Sequence, residues 1–174
     1  KKSRKIKKPI LWNNKSQITS DSIHIKFDTE NNIIDSLYVF DNAFIIEKDT
    51  LDLGYNQISG KKLFGNFIEG KLKFIDIIKN AESVYYLRNS ENELIGIDKS
   101  KSAKINILIE QQEIETFTKI NQIDGKVFPE EDFNENDKFL KGFYFREDER
   151  IETLEDLFKE DLKYELIKIN QLHF

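Results

Sequence analysis

The sequence predicts an all-β fold of repeated antiparallel hairpins, followed by a short helical tail. Three observations predict it. Short stretches alternate apolar and polar residues, polar turns separate them, and the pattern repeats at a spacing near forty residues.

The elements follow in order. Residues 1–10 form a basic N-terminal arm, with Lys1, Lys2, Arg4, Lys5, Lys7 and Lys8 giving six basic residues in eight. A solvated end is the plain reading, and contact with lipid phosphates or an acidic partner the sharper one. Residues 11–129 form the repeat domain. Ile23-His24-Ile25-Lys26-Phe27 alternates as a half-buried strand should, and Leu37 and Val39 resume the period after the turn Asp28–Asn32. Leu63–Phe67, the turn Glu69-Gly70-Lys71 and Ile75-Asp76-Ile77 make a second hairpin. Ile105–Ile109, a turn near Gln111–Glu113 and Ile114–Phe117 make a third.

The hairpins resemble one another. Ile18–Ile23 has its counterpart in Ile58–Leu63, forty residues on, and Asn42-Ala43 recurs as Asn80-Ala81. Such a period belongs to architectures in which each unit stacks on its neighbours. Residues 130–174 differ in character. Pro129–Asp137 is acidic and turn-rich, a linker. Phe139–Arg146 is aromatic and basic, and is expected to pack over an open edge of the sheet. Thr153 is placed as a helix N-cap with Asp156 three residues on, and Leu154, Leu157, Phe158 and Leu162 fall at helical spacing.

Composition removes several function classes. The chain has 174 residues and a net charge of −5, which argues against a general nucleic-acid-binding surface. It has no cysteine, so disulfides, thiolate metal sites and a Cys nucleophile are excluded. Its two histidines, His24 and His173, leave little room for His-based catalysis, and a metal at His24 would lack partners. Glu130-Glu131 and Asp148-Glu149 sit in polar surroundings that suit solvated charge better than an acid–base pair. The series Asp132, Asn134, Glu135, Asp137 lacks the glycine of a calcium loop. No cofactor is expected, and with no nucleophile–base constellation the reading is non-enzymatic. No apolar run approaches the length of a membrane helix, and no signal peptide is visible. Methionine is absent even at position 1, which reads as a processed form or an excised piece whose missing N-terminus could have carried an export signal.

Hairpins with one apolar face must bury it, and two facing sheets do so as a sandwich, a barrel or a folded trough. The inward set is Ile23, Ile25, Phe27, Leu37, Val39, Leu63, Phe67, Ile75, Ile77, Val84, Tyr86, Ile105, Ile107, Ile109 and Phe117. Lys26, Asp35, Asn66, Asp76, Asn106 and Glu115 face outward. A filled core is the common outcome of such a stripe, and an open trough would expose an apolar groove.

Gln17–Ile25, Asn32–Val39 and Asn42-Ala43 together resemble the repeat unit of the OstA-like family, the LptA-type lipopolysaccharide-transport domains. Asn80–Tyr86 and Phe139–Arg146 are similar to the longer OstA-like proteins of the Bacteroidota. The resemblance covers residues 11–129 well and the tail weakly. It departs after Phe128, where short single-domain members have no such tail. It implies a folded-sheet trough, the β-jellyroll of these domains, with acyl chains of lipopolysaccharide or lipid A between its sheets. It also implies a periplasmic location towards the outer membrane, and edge-strand pairing with other Lpt-type proteins. On that basis the candidate groove residues are Ile23, Ile25, Phe27, Leu37, Val39, Leu63, Phe67, Ile75, Ile77, Val84, Ile105, Ile107 and Phe117. The alternative is a structural or adaptor β-domain with a filled core, binding a protein by its sheet edge or C-terminal tail. A third reading, a carbohydrate-binding β-domain, requires exposed rings on one face, with Trp12, Tyr38 and Phe40 as candidates.

Overall fold

Alternating sequence becomes extended backbone almost throughout, in a fold that is all-β. A computed structural model describes residues 8–153 except 14, 50, 52, 53 and 112, together with Asp156. Its strands are β1 (Ile10–Asn13), β2 (Ser16–Thr19), β3 (Ser22–Asp28), β4 (Ile33–Lys48), β5 (Tyr55–Ile68), β6 (Lys71–Arg88), β7 (Leu94–Glu110), β8 (Glu113–Ile120) and β9 (Asp124–Phe128). All pair antiparallel in one open sheet of order β1-β2-β4-β5-β6-β7-β8, with β3 also on β4 and β9 also on β7. The three expected hairpins are those joining β3 to β4, β5 to β6 and β7 to β8. The second turns on Glu69 and Gly70, both at positive φ, as a two-residue hairpin loop demands.

The strands run further than alternation suggested. β4, β5, β6 and β7 hold 16, 14, 18 and 17 residues, and each continues through a sharp bend. Pairing skips at Phe40/Ala43, at Ser59/Lys62 and at Ile78/Ala81. Asp41-Asn42 and Lys79-Asn80 sit there in the left-handed region, with φ of 56°, 55°, 68° and 52°. Asn121-Gln122, also left-handed, separates β8 from β9. Pairs β2/β3 and β8/β9 are each one bent strand interrupted at the corner, since both members lie along the same neighbour. Asp21 N–H bonds the Asp41 carbonyl at 3.0 Å and Ala103 N–H the Asn121 carbonyl at 2.9 Å, which ties the corners of adjacent strands.

The bends line up and divide the sheet into two arms. The first arm holds β3, β8 and the halves of β4–β7 that pair with them. The second holds β1, β2, β9 and the remaining halves. Apolar residues of both arms form one buried cluster between them, including Leu37, Val39, Leu63, Ile77, Ile105 and Ile107 from the first and Ile18, Ile45 and Ile58 from the second. Burying each of these side chains stabilises by roughly 1.5–3 kcal/mol.

A second cluster covers the outer face of the second arm. Phe44, Ile46, Val84, Tyr86 and Ile97 are buried there beneath Phe133 and Leu140, with Phe143 and Phe145 packed alongside. The segment Pro129–Arg150 therefore lies across the sheet as a strap. Its acidic part is two short 3-10 turns, Glu130–Asp132 and Glu135–Asp137, and Phe133 anchors it. The aromatic part roofs a face of the sheet, whereas the sequence suggested an edge. At the far end, Thr153 and Asp156 exchange the expected capping bonds: Asp156 N–H to Thr153 Oγ1 at 3.2 Å and Thr153 N–H to Asp156 Oδ2 at 2.9 Å. The helix expected to follow, with Leu154, Leu157, Phe158 and Leu162, lies outside the described residues, as does the basic arm before Lys8.

Candidate functional site

The candidate site is the interior between the arms. Alternation along β3–β8 aims one face of every strand into it, and the bend brings the second arm over that face. Of the proposed groove residues, Leu37, Val39, Leu63, Ile75, Ile77, Ile105 and Ile107 are buried in this interior. Ile23, Phe67 and Phe117 pack against it half-buried. Ile25 and Phe27 continue the inward row of β3 towards the end of the first arm, where they are 39% and 53% exposed. Val84 and Tyr86 do not join this interior. Both lie on the opposite face, under the strap.

The wall changes character across its width. Around the bend of β6, β7 and β8 the lining includes a polar group. Ser83 Oγ lies 3.0 Å from Ser100 Oγ, Ser100 donates to Asp98 Oδ2 at 3.0 Å, and Lys119 Nζ reaches the same oxygen at 2.5 Å. Asp98 belongs to the second arm and Lys119 to the first, so this ion pair closes the inner corner. Tyr85 and Phe117 also meet across the arms, ring centroids 5.4 Å apart. Burial pushes the Tyr85 phenol above its ordinary value, and the nearby carboxylates Glu47 and Asp49 add to the effect. Among the described residues no group of three His, Cys, Asp or Glu is gathered as a metal would need.

Several interior residues escaped the sequence reading: Ile18, Ala43, Ile45, Ile58 and Ala81. A usable signal existed, because Ile18 and Ile58 are forty residues apart and Ala43 and Ala81 follow the two corner asparagines. Their preceding glutamines were missed too. Gln17 and Gln57 are 0% exposed, and each holds the strap by both ends of its amide. Gln57 donates to the Lys138 carbonyl at 2.7 Å and accepts from Leu140 N–H at 2.9 Å. Gln17 donates to the Tyr144 carbonyl at 2.8 Å and accepts from Arg146 N–H at 2.7 Å. In each case the side chain pairs with strap backbone as a neighbouring strand would.

Among the described residues the arrangement offers an apolar interior, an apolar rim and outer strands β1, β3, β8 and β9 each paired on one side alone, and no reactive constellation. No protein-family model matches the chain, and no curated protein matches it.

Proposed function

We propose that the chain is a non-enzymatic module of the lipopolysaccharide-transport kind, which accepts acyl chains between the arms of its folded sheet and acts in the periplasm. The observation that carries this reading is the bend repeated strand after strand at left-handed corner pairs. It sets two arms over a shared Ile-, Leu- and Val-rich interior while leaving the sheet unclosed. The exposed Ile25 and Phe27 on the β3 side of the first arm, and the half-buried Ile109 and Ile114 on its β7–β8 side, give an acyl chain an apolar rim to enter by. Each methylene buried there contributes about 0.8 kcal/mol, so parted arms can hold a chain without a polar pocket. The resemblance of Gln17–Ile25, Asn32–Val39 and Asn42-Ala43 to the OstA-like repeat, and of Asn80–Tyr86 to the longer OstA-like proteins, supports the same reading.

Its test is photo-crosslinking in a lipopolysaccharide-producing bacterium, with a benzophenone amino acid at Phe27, Phe117 or, as a control on the strap, Phe139. Lipopolysaccharide adducts are expected at Phe27 and Phe117 and not at Phe139. Folded protein that yields no adduct at either interior position refutes the proposal.

A second reading, an adaptor with a filled core, is favoured by the packing of Leu37, Val39, Leu63, Ile77 and Ile105, which are buried together in one cluster. Partners would then add to the outer strands β3, β8 and β9, each paired on one side alone. Organic extraction of purified protein separates the two: acyl lipid by mass spectrometry supports the first reading, and its absence the second.

A further inference from the structure

The outer face of the first arm carries a different chemistry from the rest of the molecule. The strap covers the second arm's outer face, while the first arm's outer face has no cover among the described residues. Four rings cluster on it across β3–β5. Tyr38 and Phe40 stack with planes 9° apart and centroids 6.4 Å apart. Tyr38 also meets Phe64 at 5.1 Å, and His24 meets Phe40 edge-on at 5.5 Å. Tyr38 is 36% exposed, and Phe74, also on this face, is 47% exposed.

The rings would serve the sheet alone if they were enclosed by further apolar groups. They are instead bordered by hydrogen-bonding side chains. By register, Asn66 lies opposite Phe74, and Asp76 lies opposite Phe64. Asp76 is held by Asn106 and by Lys104 Nζ, the latter at 3.0 Å. Lys62 Nζ sits 5.5 Å from the Phe40 ring centre.

We propose that this face binds a saccharide. A sugar ring has an apolar C–H face and an equatorial belt of hydroxyls, and both find partners here. Exposed aromatic faces suit the first, and carboxylate, amide and ammonium groups beside them suit the second. The chemistry disfavours the other occupants. The core of a protein interface is depleted of charge, whereas here Lys62 and Asp76 stand among the rings. An anionic lipid surface calls for a basic cluster, whereas Lys104 is paired to Asp76, and Lys26 is paired to Asp35 at 3.0 Å. The proposal concerns the opposite face of the sheet from the lipid interior and does not depend on it.

The experiment is native affinity electrophoresis through gels containing laminarin, xyloglucan or lipid-free polysaccharide released from lipopolysaccharide by acid. It is followed by an amide NMR titration of the unsubstituted protein with the retarding glycan. Retardation by at least one glycan is expected, with shifts confined to residues 36–40, 62–66 and 74–76. Tyr38→Ala should weaken binding at least about tenfold, and Phe139→Ala on the strap should leave it unchanged. No retardation in any gel overturns the proposal, as do shifts that map to the strap or the interior. The titration needs no variant, so a misfolded Tyr38→Ala does not shield the proposal.

Discussion

Asn42 and Asn80 occupy the same place in the bend of β4 and of β6, both left-handed and each followed by an alanine buried in the interior. Asn42 also donates its amide to Asp21 Oδ2 at 2.6 Å. Asparagine tolerates this backbone because its short polar side chain bonds locally, whereas a β-branched side chain crowds the following carbonyl. Asn80→Val should destabilise the protein by about 1–3 kcal/mol and Asn80→Gly by less, as read by urea unfolding. Equal costs for the two would mean that the left-handed corner is not what matters at this position.

The glutamine clamps should be costly to break. In Gln57→Leu the Lys138 carbonyl and Leu140 N–H lose their partner. A buried group left unsatisfied costs about 1–3 kcal/mol. Hydrogen exchange should show lost protection at Leu140 and unchanged protection at Val39 and Ile77. Uniform loss across both would show the strap and the sheet to be one cooperative unit.

Gly60 sits in the bend of β5, where a side chain has no room. A β-carbon there would stand 2.4 Å from Ile77 Cγ2. Gly60→Ala should therefore cost about 1–3 kcal/mol by overpacking. Gly60→Ala with Ile77→Ala should cost less than the two separate losses combined, a coupling that thermal unfolding of all four proteins measures.

Acid should weaken the fold in a definite window. The Asn31 amide, with the Glu30 and Asn31 N–H groups, holds the Asp28 carboxyl below its ordinary value of 3.8. The Ser36 hydroxyl and then Lys26 do the same for Asp35, and Lys8 and then Asn42 for Asp21. A lowered folded value means that the unfolded chain takes up the proton first. Stability is then complete above pH values near 4 and declines as pH falls through the lowered values. Calorimetry between pH 7 and pH 2 should show that decline, and Asp28→Ala should make it shallower.

The three hairpins were legible because alternation is cleanest in the first arm, where one face is buried and the other meets water. The second arm hid its inside from its outside. Ala43-Phe44-Ile45-Ile46 is buried at every position, and in Val84-Tyr85-Tyr86 apolar groups point both ways, because the strap covers what would otherwise be the wet face. A period of two cannot say which of two covered faces is the interior, and Val84 fell on the wrong side for that reason. The corners were visible as the repeated Asn-Ala pair. That they bend a continuous strand was not, since pairing resumes two residues later and no break appears in the apolar pattern.

Strand order follows chain order from β4 to β8, so each of these strands meets its partner one turn away. A sheet of that kind assembles by accretion. The strap does not, because Tyr144 and Arg146 must return to Gln17, 127 and 129 residues back. Loop-closure entropy falls most heavily on that final step. On a ribosome the strands of the meander emerge before the latch, so the sheet can pair before the latch closes over it.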